Sequence, residues 1–233
     1  MTGAPRLPTN GRRRRSRRAL NSVLVPVALL AIGVEFALYR WWHLRWGARP
    51  AEVVAAMPGD DLLPRAHFVA TRAITIGVPP ADVWPWLLQV GVGRGGFYSY
   101  DLLDNLGRHS AESLDPNLQA LNPGDWIPMS RRPSERTAFR VAGLEAPRWM
   151  LWTKHDSTWA WQLEPSEQAT TRLVTRLRCR YDWRDFPSIL LTVVLMECGD
   201  FPMMRRMLLG IRQRAEGAAR DGSPSLDSHA GPS

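Results

Sequence analysis

Lysine is almost missing from this chain: Lys154 stands alone in a basic set that is otherwise arginine. That bias follows genome composition more than function. Cysteine is scarce too. Cys179 and Cys198 are the only two; their spacing fits no thiolate metal motif, and two residues make no disulfide framework. Both read as small buried hydrophobes. Acidic residues are missing from positions 1–18, which carry seven arginines: Arg6, Arg12 to Arg15, Arg17 and Arg18. Removing those seven from the net charge of +8 leaves about +1 for everything else. The basicity is therefore a tail and not a face of the folded part, so a nucleic-acid partner is not expected. Internal repeats are absent. No cluster has metal-ligand spacing, and neither a metal nor a cofactor is expected.

Long apolar runs are also rare, and the one that exists is informative. Leu20 to Leu38 contains a single charge, Glu35. A bilayer core needs about 20 apolar residues as helix, and Pro26 is tolerable in such a helix. Tyr39, Trp41, Trp42 and Trp46 follow, interleaved with Arg40, His43, Arg45 and Arg49. Aromatic rings beside basic groups suit a membrane–water interface. The reading is a transmembrane helix over 19–39, after a basic cytoplasmic tail over 1–18. A cleaved leader fits less well, because FALYRWW is a poor cleavage site. The basic flank places the N-terminus in the cytoplasm and the folded domain outside, a single-pass protein of the cell membrane.

Residues 40–64 read as a juxtamembrane connector with one short helix. Arg65 to Val78 alternates and predicts a strand. Pro79 and Pro80 end it, and Val83, Trp86, Leu87 and Val90 then fall at helical spacing, with Pro85 taken as part of the first turn. Phe97, Tyr100, Leu103 and Leu106 predict a second short helix. Four strands follow at meander spacing: Thr137 to Glu145, Arg148 to Lys154, Thr158 to Glu164 and Thr170 to Trp183. In the last, Leu173, Thr175, Leu177, Cys179 and Tyr181 share one face. Arg172, Arg176, Arg178 and Arg180 share the other, which reads as solvated. A helical region runs from Pro187 to about Ala215, with Gly199 to Pro202 as a kink. Residues 216–233 read as a disordered tail.

The stretch GVGRGGFYSYDLLDNL opens with Gly91, Gly93 and Gly96 in the spacing of a dinucleotide turn. Such a turn needs a buried parallel strand before it and an acid about 20 residues on at the tip of a second strand. Here a helix precedes, and Glu112 lies in a loop. The glycines instead read as a tight turn between two helices, with Gly91 as a left-handed cap.

ATRAITIGVPPADVWPWLLQVG (Ala70 to Gly91), GRGGFYSYDLLDNL (Gly93 to Leu106) and the NPGDWI turn together carry a family likeness. Over roughly 65–215 the chain resembles the START-like superfamily, also called SRPBCC or polyketide cyclase/dehydrase-like, and in particular a bacterial branch of it. The resemblance implies an α+β helix-grip fold: a curved antiparallel sheet packed on a long C-terminal helix, with an apolar cavity between them. Members bind lipids, sterols, polyketides or other hydrophobic ligands, and some are enzymes whose catalytic residues do not transfer to this chain.

Cavities of that kind are lined by apolar and aromatic groups with a few polar ones. The candidates are Tyr98, Tyr100, Asp101, Trp149, Trp152, Trp159, Trp161 and Tyr181. Asp101, Asp104, His109, His155 and Asp156 are available as acids or bases, without a tight constellation. The leading expectation is a membrane-anchored domain binding a hydrophobic molecule or lipid. A cyclase-type enzyme and a structural or partner-binding envelope protein are the alternatives.

Overall fold

The computed structural model describes residues 11–184 and 186–222. The outer parts of the basic tail and of the C-terminal tail lie outside the described residues. The chain divides into two compact units, one ending at Trp42 and the other beginning at His43.

Helix α1 (Gly11–His43) contains Pro26. Its stretch Leu24–His43 is long and apolar enough to cross a membrane, with a mean hydropathy of 1.6. Its large side chains from Leu24 to Leu38 stand exposed.

The second unit is built on one six-stranded antiparallel sheet in the order β1-β6-β5-β4-β3-β2. The strands are β1 (Phe68–Ile76), β2 (Trp126–Pro128), β3 (Ala138–Glu145), β4 (Trp149–Lys154), β5 (Ser157–Ser166) and β6 (Thr170–Cys179). β1 sits at one edge beside β6 because the intervening strands form a meander that returns to it. The expected strands are present within a few residues. β2 is an addition: the Asn122 to Ile127 turn runs straight into a three-residue edge strand.

Period-two alternation gives the sheet two faces. Phe68, Ile74, Met150, Trp152, Trp161, Leu173 and Leu177 point to the main core. There they meet α6 (Asp200–Arg220), through its Met204, Met207, Leu208 and Ile211. A long helix laid across a curved antiparallel sheet is the helix-grip arrangement. Before α6 come α5 (Phe186–Val194) and one wide turn, Leu195–Gly199, so the expected kink falls just ahead of Phe201. α6 continues to Arg220, past the expected end of the folded part.

The other face corrects the reading of the arginine row. It is covered by the segment before β1, which includes α2 (Pro50–Val54). Arg172 holds Glu52 with two bonds of 2.7 and 2.8 Å and also donates to the Gly47 carbonyl. Arg176, only 4% exposed, donates to Thr71, Asp60 and the carbonyls of Glu52, Val53 and Ala55. Arg178 reaches Asp60 and the carbonyls of Leu63 and Pro64. Met57 completes a small second core with Ala73, Leu151, Ala160 and Val174. Of that row, only Arg180 is exposed. The alternation was right and the occupant of the face was not solvent.

β1 has a free edge, and residues 44–46 close it. Thr71 N–H donates to Leu44 at 2.8 Å and Ala73 N–H to Trp46 at 3.2 Å. Covering an open edge blocks pairing with foreign strands. On the inner face, Arg72 is 1% exposed. It donates to the His43 carbonyl at 2.8 Å and to Asp200 at 2.6 Å, so it ties the start of the unit, β1 and the start of α6 together.

Candidate functional site

α3 (Pro80–Leu88) packs against α6 and carries Val83, Trp86 and Leu87 into the core. Pro85 lies in its second turn, not its first. The helix ends on Gln89 as C-cap, two residues before Gly91. Gly91 therefore does not cap it. Gly91 and Gly96 instead exchange two backbone hydrogen bonds of 3.1 Å across a tight loop. Both have positive φ, +133° and +80°, and a Cβ on Gly96 would collide with Ser110 and Asn105. Glycine is needed there for conformation and for room.

The expected helix from Phe97 to Leu106 shrinks to α4 (Asp101–Asp104). Tyr98 and Leu106 both adopt φ of 56°, which breaks a continuous helix. Phe97 and Tyr98 turn into the core, while Leu103 stays exposed.

A groove of about 1050 Å³ lies between α3, the 98–114 segment and α6. Trp86, Leu114, Leu209 and Ala218 supply apolar lining, interspersed with Ser99, Ser110, Gln213, Arg206 and Arg214 and with the carboxylates of Asp82, Asp101, Glu112 and Asp221. Tyr98 is its structural pivot. Its hydroxyl donates to the Trp86 carbonyl at 3.0 Å, and its N–H donates to Ser110 Oγ at 3.1 Å. Burial pushes the Tyr98 phenol up, so it stays neutral. Gly210 lets α6 approach the Tyr98 backbone, because a Cβ there would meet the Tyr98 carbonyl oxygen.

Two α6 arginines border the groove over tyrosine rings. Arg214 lies 4.7 Å from the Tyr98 centroid and donates to the Ala111 carbonyl at 2.6 Å. Arg206 lies 4.6 Å from the Tyr100 centroid and donates to the Ser99 carbonyl at 3.0 Å. Both have further N–H donors, and stacking on a ring holds a guanidinium plane in place.

Ser110, Asp101 and His109 meet at the rim. Ser110 Oγ donates to Asp101 at 2.6 Å, and His109 Nδ1 sits 3.4 Å from the same carboxylate. These are the residue types of a hydrolytic triad in the wrong order. A nucleophile needs the imidazole between it and the acid. Here the carboxylate is in the middle and also accepts from Ser110 N–H, so it fixes the loop. Asp104 is half-buried nearby, and burial pushes its carboxyl up. His155 and Asp156 lie in the β4–β5 turn. Burial raises Asp156, but Lys154 and Ser157 outweigh this and hold it below the ordinary range. Among the described residues no group of three His, Cys, Asp or Glu converges as a metal site.

Tyr98 and Asp101 thus line the groove, with Tyr100 beside it under Arg206. Trp152, Trp159 and Trp161 lie elsewhere, packed on one another between sheet and α6 at centroid distances of 5.1 to 5.4 Å. Trp149 faces the other side of the sheet, donating to Glu145 at 3.0 Å beside the small core. Tyr181 stacks on His67 at 5.5 Å and bonds Glu197. Cys179 is buried as expected, whereas Cys198 is exposed. The groove residues on α6 were missed, although 206, 210, 213, 214 and 217 form one stripe of that helix at i, i+4, i+7, i+8 and i+11.

The class this geometry defines is an α+β helix-grip domain with a lateral groove. No family model and no curated protein matches the chain. Solved structures do. The crystal structure of SSP2350 from Staphylococcus saprophyticus is 15% identical over 66% of this chain and 92% of that chain, with a TM-score of 0.35. The Polyketide_cyc-like protein Cgl2372 from Corynebacterium glutamicum is 16% identical over 73% and 99%, with a TM-score of 0.34. The Aha1 dimer from Colwellia psychrerythraea is 16% identical over 56% and 97%, with a TM-score of 0.31.

Proposed function

We propose that this chain is a single-pass membrane protein whose START-like domain binds a hydrophobic ligand, a lipid, in the groove along α6. The observation that carries the reading is the groove itself. Its volume, about 1050 Å³, is at the upper limit of small-molecule sites, which span about 300–1,000 Å³. Its lining mixes apolar groups (Trp86, Leu114, Leu209, Ala218) with stacked guanidinium, hydroxyl and carboxylate groups, a mixture that suits an amphiphile with a polar head. The length and composition of Leu24–His43 support the anchor. Burial of His43 inside the folded unit supports retention of that helix over its cleavage. The seven arginines ahead of it support a cytoplasmic N-terminus and an external domain.

The test is native mass spectrometry of the full chain released from nanodiscs, with lipid extraction. A bound amphiphile is expected in the wild type. Gly217 lines the groove and has open space where a Cβ would stand. Gly217→Trp projects an indole into the groove and should lower the amount of bound ligand while leaving the melting temperature close to wild type. If the wild type carries no apolar molecule, or the variant retains as much as the wild type, the groove is not the site.

A further inference from the structure

From Ile189 to Val194, α5 is apolar except at Thr192. Ile189 is buried, and Val193 and Met196, just past the helix, pack against the core. The opposite side carries Leu190, Leu191, Val194 and Leu195, which are 59%, 70%, 52% and 47% exposed. These positions repeat at i and i+4, so they form one stripe. An exposed apolar stripe of this kind marks a contact with an apolar surface. Trp183, 63% exposed, precedes α5 by three residues and packs edge-on against Tyr181, which bonds Glu197.

The position of this stripe follows from the chain. The candidate span ends at His43, which is fully buried in the folded unit. The His43 carbonyl accepts from Arg72, Arg72 pairs with Asp200, and the His43 ring lies 5.7 Å from Phe201. Asp200 and Phe201 begin α6, one wide turn after α5. His43, the first residue of the folded unit, therefore packs at the start of α6, one wide turn from α5. The α5–α6 corner has interfacial chemistry. Arg205 lies over the Trp46 ring at 5.4 Å, and Trp46 meets Phe201 edge-on at 6.2 Å. Tryptophan and arginine together favour the headgroup layer.

We propose that α5 and Trp183 form a second membrane contact, lying in the plane of the same bilayer that holds the span. The apolar stripe enters the headgroup–acyl boundary by about 5–10 Å, as amphipathic interfacial helices do. Two contacts on one membrane prevent the domain from swinging, and they hold α6 and its groove at a fixed height above the lipid. This inference rests on the span reading of the proposed function.

The test is depth quenching in nanodiscs of mixed zwitterionic and anionic phospholipid, with a doxyl label high on the acyl chain. The full chain carries Cys198→Ser and a single added cysteine bearing an environment-sensitive dye. Leu191→Cys reports α5, Leu30→Cys reports the span, and Val54→Cys is the exposed control on α2. The expected result is loss of roughly half the emission at Leu191 and Leu30, with Val54 unchanged. Quenching at Leu30 without quenching at Leu191 overturns the contact and leaves the anchor standing. Quenching at neither overturns both. Unquenched emission at Leu191 with energy transfer between labelled chains means a second copy covers α5, which also overturns the contact.

Discussion

The arginine latch makes the sharpest prediction, and Arg176 is the place to test it. Its guanidinium is 4% exposed and its five N–H groups meet five acceptors between 2.6 and 2.9 Å. Methionine at 176 keeps most of the volume and removes every one of those bonds. It leaves Thr71 and the Glu52, Val53 and Ala55 carbonyls short of a donor. It also removes one of the two arginines on Asp60, which retains Arg178 at 3.2 Å. Breaking a buried ion pair by deleting one partner costs about 3–5 kcal/mol. For a domain of this size each kcal/mol moves the melting midpoint by about 2–4 °C, so a drop of roughly 6–20 °C is expected for Arg176→Met. Thermal melts of the full chain in detergent measure it. Hydrogen exchange should show the loss locally, at the Val53, Ala55 and Asp60 amides, which are bonded within the covering segment. Arg180→Met is the control from the same row. It is exposed, so its effect should stay within about 0.5 kcal/mol. If Arg176→Met behaves like Arg180→Met, the row is a solvated face after all and the latch contributes nothing.

Three other outcomes follow from the same packing. Arg72→Met should destabilise by about 3–5 kcal/mol because it strands Asp200, and adding Asp200→Leu should recover most of that loss in a denaturant titration. Gly210→Ala should cost about 1–3 kcal/mol, since its methyl meets the Tyr98 backbone, while Gly217→Ala in open space should gain about 0.5–1 kcal/mol from helix propensity; melts of the two variants should move in opposite directions. Burial raises the Glu52 carboxyl, but Arg172 and the Arg49 N–H outweigh it, so its folded value lies below the ordinary 4.5. Its contribution is full above that value and is lost as pH falls through the lower one; Glu52→Gln should be less stable than wild type near neutral pH, and the two should converge in acid.

Much of this architecture is legible in the sequence because a half-buried sheet repeats every two residues. The parity of Leu173, Leu177 and Cys179 against Arg172, Arg176 and Arg178 identifies both faces of β6 correctly. Parity does not say what covers a face. The partners of Arg176 lie more than one hundred positions away at Glu52 to Asp60, and no local pattern ties them together. Phe97, Tyr100, Leu103 and Leu106 misled for the opposite reason. Their spacing is helical, but two left-handed residues and the Asp101–Ser110 bonds stop the helix at four residues. Tyr98 and Asp101 were legible as candidates because they sit beside the glycine turn. Arg206, Gln213 and Arg214 were not, because small and polar residues along one stripe of a C-terminal helix look like a solvated side. The groove exists only once α3 and the 98–114 segment stand opposite that stripe.

The backbone bonds between residues 44–46 and β1 bear on how this molecule behaves when cut. A fragment beginning at Arg65, where the family likeness starts, would contain all six strands and α6. It would also carry Arg72, Arg176 and Arg178 without Glu52, Asp60 or the His43 carbonyl, and its first strand would offer unpaired Thr71 and Ala73 N–H groups to any neighbour. Edge-to-edge aggregation of that fragment is the direct consequence. A fragment that keeps the β1 edge covered starts at His43, with residues 44–46 serving as a non-strand border of the sheet.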